Sequence, residues 1–439
     1  MKETARKILY ALVAIWRRKI APIKGNRVPC KTPGCFGNIL PSTAEATGGF
    51  CRPCVNRAKA EEKQRYIEAN RVEVNRFAGV SDPVEILRLI HDPPPMDPLV
   101  VQVPYSRSTF DVYRHLSQAD VERLVTVASE TPEMLQTVAS YLSCFSTVSL
   151  DVCQRALLAE GDPYPPHAFR EASESVVGAL FELVERSVGE RDDLLLDHAL
   201  SALAWTRSSR VIEAMVSWSE SPPEWSSLLA IPAHAYARVA GFEIESGAVR
   251  ELTLPHAFEL VPSENSVGAG SVDLFESQAT GLTCPRCAQP ATVLARLDRA
   301  GLPELRGRIP NEVLTCVECA PYGTVFIQRH AKAGWNWLLS DGEPAEGAEE
   351  WKREPRAATL APRPPWEAVD YLCEENGFSQ IGGQPTWIRD PEYPACPQCA
   401  RSMPTVMQIA LADFYLEEGI FYVHYCSGCV VVGVSYQTT

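Results

Sequence analysis

Cys284-Pro285-Arg286-Cys287-Ala288 and, 112 residues further on, Cys396-Pro397-Gln398-Cys399-Ala400 are the two stretches on which the reading of this chain turns. Each is completed by a second Cys-x-x-Cys: Cys316 and Cys319 after 28 residues in the first case, Cys426 and Cys429 after 26 in the second. A short turn lets two thiolates face one ion, and a second turn from a distant hairpin closes a tetrahedral shell, the spacing of a zinc ribbon. The flanking residues repeat as well. A Thr-Val pair follows each first turn (Thr292-Val293; Thr405-Val406, one residue later), and each second turn leads to a glycine and a strand ending in glutamine (Gly323 and Gln328; Gly433 and Gln437). The simplest physical account is a duplicated β-rich unit, with halves at 241–340 and 366–439 that pair about a pseudo-twofold axis and share one core.

A third quartet stands apart near the N-terminus: Cys30-x4-Cys35, fifteen residues, then Cys51-x2-Cys54. Twelve of the fifteen cysteines thus form three sets of four, which call for three structural Zn2+ ions. A disulfide framework is a poor alternative, because such frameworks belong to small exported domains. Redox pairs fit no better, since every pair has a second pair to complete it. Four thiolates leave no open coordination position, so the metal is expected to brace the fold and not to activate water. The remaining Cys144, Cys153 and Cys373 read as buried apolar thiols.

The chain has 439 residues, 46% of them hydrophobic and 22% charged, which bounds it as a globular protein of two or three domains. The apolar run over residues 8–16 is too short to span a bilayer and runs into Arg17-Arg18-Lys19 without a cleavage site. It reads as an amphipathic first helix carrying Ile8, Leu9, Leu12, Val13 and Trp16, and the protein is expected in the cytoplasm, away from membranes. Residues 1–76 carry 16 Lys/Arg against 6 Asp/Glu; the rest carries 25 against 49. A basic head on an acidic body implies two electrostatic partners, or one part docked on the other.

The organisation expected is α+β and multidomain. A zinc knuckle with a charged helix over 55–77 occupies residues 1–77. Residues 90–104, with Pro93-Pro94-Pro95, read as an extended connector. A helical domain at 105–240, a bundle or an array of HEAT-like texture, includes two antiparallel helices over 193–219 joined at Arg207-Ser208-Ser209 and facing each other through Leu195, Ala199, Leu203, Val211, Ala214, Met215 and Trp218. A β-rich domain follows at 241–439, interrupted at 340–365 by a Glu-, Ala- and Pro-rich exposed connection.

Within that domain, Gly377-Phe-Ser-Gln-Ile-Gly-Gly-Gln-Pro-Thr-Trp-Ile-Arg389, followed by Cys396-x-x-Cys399 and Gln408-Ile409, resembles the YwqG-like family of bacterial proteins. The matching positions are Gly382, Gly383, Pro385, Trp387, Ile388, Gln408 and Ile409; the first half lacks the Gly-Gly-x-Pro-x-Trp run. The resemblance implies a mixed α/β fold without established catalytic residues, and a binding role, since some members look like immunity partners of secreted toxins. The eight histidines (91, 115, 167, 198, 234, 256, 330, 424) belong to no nucleophile or metal signature, so no catalytic residue is expected. The leading expectation is a protein-binding protein, an immunity protein whose acidic body meets a basic toxin domain. The runner-up is a zinc-ribbon nucleic-acid binder or regulator that uses the basic head.

Overall fold

The computed structural model describes residues 26–145, 148–263, 270–276, 282–298, 302, 305–330, 334–338, 354–369, 377–415 and 417–439. The expected first helix with Arg17, Arg18 and Lys19, and the lone Cys373, lie outside them. The chain divides into two compact units, residues 1–78 with 94–104, and residues 79–93 with 105–439.

The first unit is built on the knuckle. Strands β1 (Val28–Pro29) and β2 (Asn38–Ile39) pair antiparallel, helix α1 (Pro41–Thr47) ends on Gly48 in the left-handed region, and α2 runs over Arg52–Asn70. Helix α2 stops at Asn70, not near residue 77, because the next residues leave the helix as β3 (Val72–Val74), paired in parallel with β4 (Val100–Gln102). The expected connector therefore supplies a strand. Only Ile67 is buried on α2, whose sequence is polar all round.

The second unit contains helices and the large sheet together. After α3 (Pro83–His91) and α4 (Thr109–Arg114) come α5 (Gln118–Ser129), α6 (Pro132–Phe145), α7 (Asp151–Glu160), α8 (Glu174–Glu190), α9 (Asp193–Thr206) and α10 (Ser209–Glu220). The expected pair over 193–219 is present as α9 and α10. Asp192 caps α9 through the Leu195 amide, Arg207 turns the chain in the left-handed region, and Ser208 caps α10 through the Val211 amide. Leu196, not Leu195, is the buried leucine of the first turn, while Ala199 and Leu203 are buried as expected.

The hairpin β5 (Phe242–Glu245) and β6 (Ala248–Glu251) leads into an eleven-stranded sheet. Its members are β7 (Leu254–Ser263), β8 (Ser271–Glu276), β9 (Thr292–Leu297), β10 (Glu312–Thr315), β11 (Val325–His330), β12 (Gly334–Leu338), β13 (Arg356–Arg363), β14 (Gln380–Gly383), β15 (Thr405–Ala410), β16 (Ile420–Cys426) and β17 (Val431–Gln437). A short helix, α11 (Ala412–Tyr415), lies between β15 and β16. The order is β10-β9-β8-β13-β7-β14-β15-β16-β17-β11-β12, and every neighbouring pair is antiparallel.

This order has a pseudo-twofold axis between β7 and β13, at the Val261–Thr359 pair. Exchanging the halves converts the Gln380–Glu259 pairing of β14 with β7 into the Asp273–Ala357 pairing of β8 with β13. Each half thus lends its long first strand to the other. Residues 356–363, expected in an exposed connection, form one of these two central strands, with Ala358 and Arg363 buried. Small residues and a proline hide the strand in the sequence; pairing on both edges makes it. The same axis passes between β11 and β17, whose residues Ile327 and Val432 face each other. On this symmetry β10 would pair with β11 as β16 pairs with β17. Instead β12 takes that edge, and β10 packs beside β11 without a ladder, tied by the Trp335 indole N–H donating to Glu312 at 3.2 Å. The curled sheet encloses one core, in which Leu274, Val293 and Ile327 of one half meet Ile381, Met407 and Val432 of the other.

Candidate metal centres

The two duplicated turns share their backbone chemistry bond for bond. The Cys284 amide donates to the Gln289 carbonyl and the Ala288 amide to that of Cys284, at 2.8 and 2.9 Å; Cys396 to Arg401 and Ala400 to Cys396 do the same, both at 2.8 Å. Isolated bridges Thr283–Pro290 and Ala395–Ser402 close both turns, and Ala288 and Ala400 sit at φ 58° and 59°. A bulge follows at Leu294 in β9 and at Val406 in β15, again 112 residues apart. The register therefore corrects the Thr-Val match: Val293 corresponds to Thr405, facing Leu314 and His424 respectively, and no residue is inserted.

All twelve candidate cysteines come together as three quartets, Cys30/35/51/54, Cys284/287/316/319 and Cys396/399/426/429, with the sulfurs of each within 4.8 Å of one another. Four sulfurs at ~2.3 Å from a tetrahedral ion lie about 3.8 Å apart, whereas a disulfide needs about 2.05 Å. Measured separations are 3.7 Å for Cys35–Cys51, 3.8 Å for Cys284–Cys319, 3.4 Å for Cys287–Cys316 and 3.8 Å for Cys399–Cys426. The donor set and its spacing fit a thiophilic tetrahedral ion, and the twelve residues named are those that would hold it. An uncompensated cluster of four thiolates would be strongly repulsive, and a bound dication removes that repulsion.

Local structure lowers one thiol in each quartet, while neighbouring sulfurs and burial raise Cys35, Cys51, Cys316, Cys319, Cys396 and Cys429. In the first quartet Cys51 caps the N-terminus of α2 and Cys54 lies in its first turn, where the helix dipole favours negative charge. The Cys51 amide donates to Cys30 Sγ at 3.2 Å and that of Gly37 to Cys35 Sγ at 3.4 Å. The bond from Cys51 holds the Cys30 thiol down at about 6. Gly37 lies beside the ligands: a Cβ there would reach contact distance, 3.4 Å, from the sulfurs of Cys35 and Cys51. In the second quartet the hydrogen bond with Cys316 lowers Cys284 to about 5. In the third the Arg401 amide lowers Cys399.

The other candidates are placed as core. Cys144 and Cys153 are buried, and burial raises Cys153 to about 12. His424 is fully enclosed, between Thr405 Oγ1 and Ser435 Oγ at 3.1 Å each, and burial lowers it to about 3. His167 Nε2 lies 2.6 Å from Ser140 Oγ, a nucleophile–base distance, but Ser140 is 1% exposed and lines none of the described cavities. Trp387 stacks on Tyr422 at 4.5 Å between ring centres. Gly382 permits a backbone kink, since a Cβ there would fall 2.0 Å from the His256 carbonyl oxygen. What sequence reasoning missed is a cavity beside Gln384, where Arg207, Trp366 and Arg308 come together from distant segments with no shared motif.

Over 433 residues the chain is 32% identical to the uncharacterized protein YpfL of Salmonella typhimurium, an alignment spanning 94% of this chain and 99% of that relative. The chain belongs to the YpfL family. No protein-family model matches the sequence. No solved structure matches it either.

Proposed function

We propose that the protein is a zinc-braced binding protein whose helical array engages a basic protein partner, in the manner of an immunity protein that neutralises a toxin. The observation that carries this reading is the charge of the array. Residues 105–240 contain 19 Asp/Glu, ten arginines and no lysine. Six of those arginines are tied to carboxylates, as Arg114–Glu367, Arg123–Asp82, Arg155–Asp151, Arg170–Glu171, Arg207–Glu251 and Arg238–Glu243. Glu174, Glu182, Glu185, Glu190 and Asp193 remain on the exposed surface of α8 and the start of α9. Such a surface steers a cationic partner and rejects anionic ones. Closed four-cysteine centres support the same reading, because they stabilise a scaffold without offering a reactive position. The toxin as partner class follows from the YwqG-like resemblance of residues 377–409.

The test is affinity capture from the native host at low salt, with the chain and with an E182K/E185K/E190K variant as baits. The reading expects a basic protein held by the first and lost from the second, and the loss should be reproduced by raising salt. An unchanged set of partners would sink it. A second reading is favoured by the knuckle, where Phe36 and Phe50 are 64% and 39% exposed among Arg27, Lys31, Arg52 and Arg57. Exposed rings among cations suit single-stranded nucleic acid. A salt-dependent mobility shift lost on reversing Arg17, Arg18, Lys19 and Arg52 supports it, and no shift at low salt removes it.

A further inference from the structure

A cavity of about 640 Å3 opens where the ends of β7, β14 and β16 meet the turn at Arg207. Its walls are stiff and apolar: Leu254, Pro365, Trp366, Pro404 and Tyr425. Its polar groups, Arg207, Glu251, Thr253, Arg308, Gln384 and Ser427, come from five separate segments. The size falls within the roughly 300–1,000 Å3 of small-molecule sites, which combine apolar walls with a few convergent polar groups.

Two residues of the lining also carry polar atoms buried in the wall. Gln384 is 2% exposed, and its Oε1 has no hydrogen-bond partner among the described residues, although its Nε2 donates to the Val239 carbonyl at 3.1 Å. Arg207 Nε is also buried without a partner among the described residues. Both atoms are sealed from solvent, so they belong to the packing of the wall, and the case for a ligand rests on the size, the apolar walls and the charge of the cavity. The charges then set the sign. Arg207 is held in place by Glu251 at 3.0 Å and by stacking on Phe242 and Trp366, with its carbon 4.9 and 5.7 Å from the ring centres. That pair neutralises itself, and the exposed Arg308 guanidinium leaves the lining with a net charge of one positive.

We propose that this cavity binds a small organic monoanion, a carboxylate on an aromatic body, with Arg308 gripping the carboxylate and the body lying against Trp366 and Tyr425. A guanidinium matches a carboxylate through two parallel N–H bonds. A single net positive charge suits a carboxylate better than a phosphate monoester, which carries about two negative charges at neutral pH. The site stands independently of any protein or nucleic-acid partner.

Isothermal titration of the zinc-loaded full chain tests it with three probes of one shape: 2-naphthoate, 2-naphthamide and 2-naphthyl phosphate. The expected order is naphthoate tightest, with naphthamide about tenfold weaker. Arg308→Gln should abolish the preference for naphthoate over naphthamide while zinc content and circular dichroism stay unchanged. Trp366→Leu should weaken both together. Equal binding of acid and amide, a preference that survives Arg308→Gln, tighter binding of the phosphate, or no saturable heat from naphthoate at millimolar concentration would each overturn the proposal.

Discussion

The second and third cysteine quartets have the same ligand spacing within each turn, and their first turns share the same backbone hydrogen bonds and the same following bulge, yet one quartet is inside the protein and the other at its surface. Cys284, Cys316 and Cys319 are 3%, 0% and 0% exposed and belong to the main core of the sheet. In the counterpart only Cys396 is buried; Cys426 and Cys429 are half-buried and Cys399 is exposed, beside a small cluster of Met403 and Val431. A local sequence suffices to shape the knuckle. Whether the metal becomes a core element or a surface clasp is set by what packs over it: Cys284, Cys316 and Cys319 share the main core with Ile309, Val317 and Val325, whereas the third quartet has only Met403, Val431, Phe326 and Leu338 grouped with it.

The sharpest way to break this comparison is to remove one ligand from each site. Cys316→Ser should cost several kcal/mol, on the order of a third of the roughly 10–16 kcal/mol that a structural zinc contributes, and should unfold the shared sheet. Cys399→Ser should cost visibly less, with unfolding confined to its own turn. Denaturant titration with zinc counted by elemental analysis decides; equal losses would mean that burial does not separate the sites. Wild-type protein should carry three zinc ions, and a chelator with a colorimetric readout should take the third-site ion before the second.

The kink next to each first β-pairing offers a second comparison. Gly382 (φ +71°) corresponds in register to Phe275 (φ +58°), so one half bends with glycine and the other with a bulky residue. Gly382→Ala should destabilise by about 3 kcal/mol or more, because the Cβ would meet the His256 carbonyl at 2.0 Å. Phe275→Ala should cost a similar amount for the opposite reason, the loss of a ring that is 1% exposed. A neutral Gly382→Ala would show that β7 can retreat.

Acid sensitivity separates the halves next. His424 faces Thr405 where the first half has Leu314 facing Val293. Its folded pKa is lowered by burial to about 3 from the ordinary 6.5, so the unfolded chain binds the extra proton. Its contribution is present above pH 6.5 and is lost as pH falls towards 3. Denaturation midpoints of His424→Leu should therefore depend less on pH between about 6.5 and 4 than those of wild type. Zinc release at acid pH is common to both proteins and drops out of the difference. A parallel pair of curves would refute the assignment.

The smallest effect should be symmetric. Ala288→Gly and Ala400→Gly relieve the same left-handed backbone, and each should change stability by less than about 1 kcal/mol in the same direction. Opposite signs would show that the two turns are not equivalent.

Much of this architecture is legible in the residues alone. The twelve clustered cysteines, the duplication, the helix pair at Arg207 and the helical-then-β order follow from spacing and periodicity, which act over a few residues. The central strand at 356–363 is not legible, because Ala, Thr and Pro carry little strand signal there and its partners β7 and β8 lie far back along the chain. The one-residue shift in the Thr-Val match escapes for a related reason: letters can be aligned at either offset, and only the ladder fixes which residue faces which. The cavity residues Arg207, Trp366, Gln384 and Arg308 share no spacing at all.

By itself the sequence determined which cysteines gather into quartets and that two halves repeat, since a Cys-x-x-Cys turn needs only its own residues to form. The tertiary structure alone decided that each half lends a strand to the other, that one cysteine quartet is core and its twin is not, and that glycine is compulsory at 382 but phenylalanine is accepted at 275. Those outcomes depend on which backbone lies opposite, and the nearest backbone in space is far away along the chain.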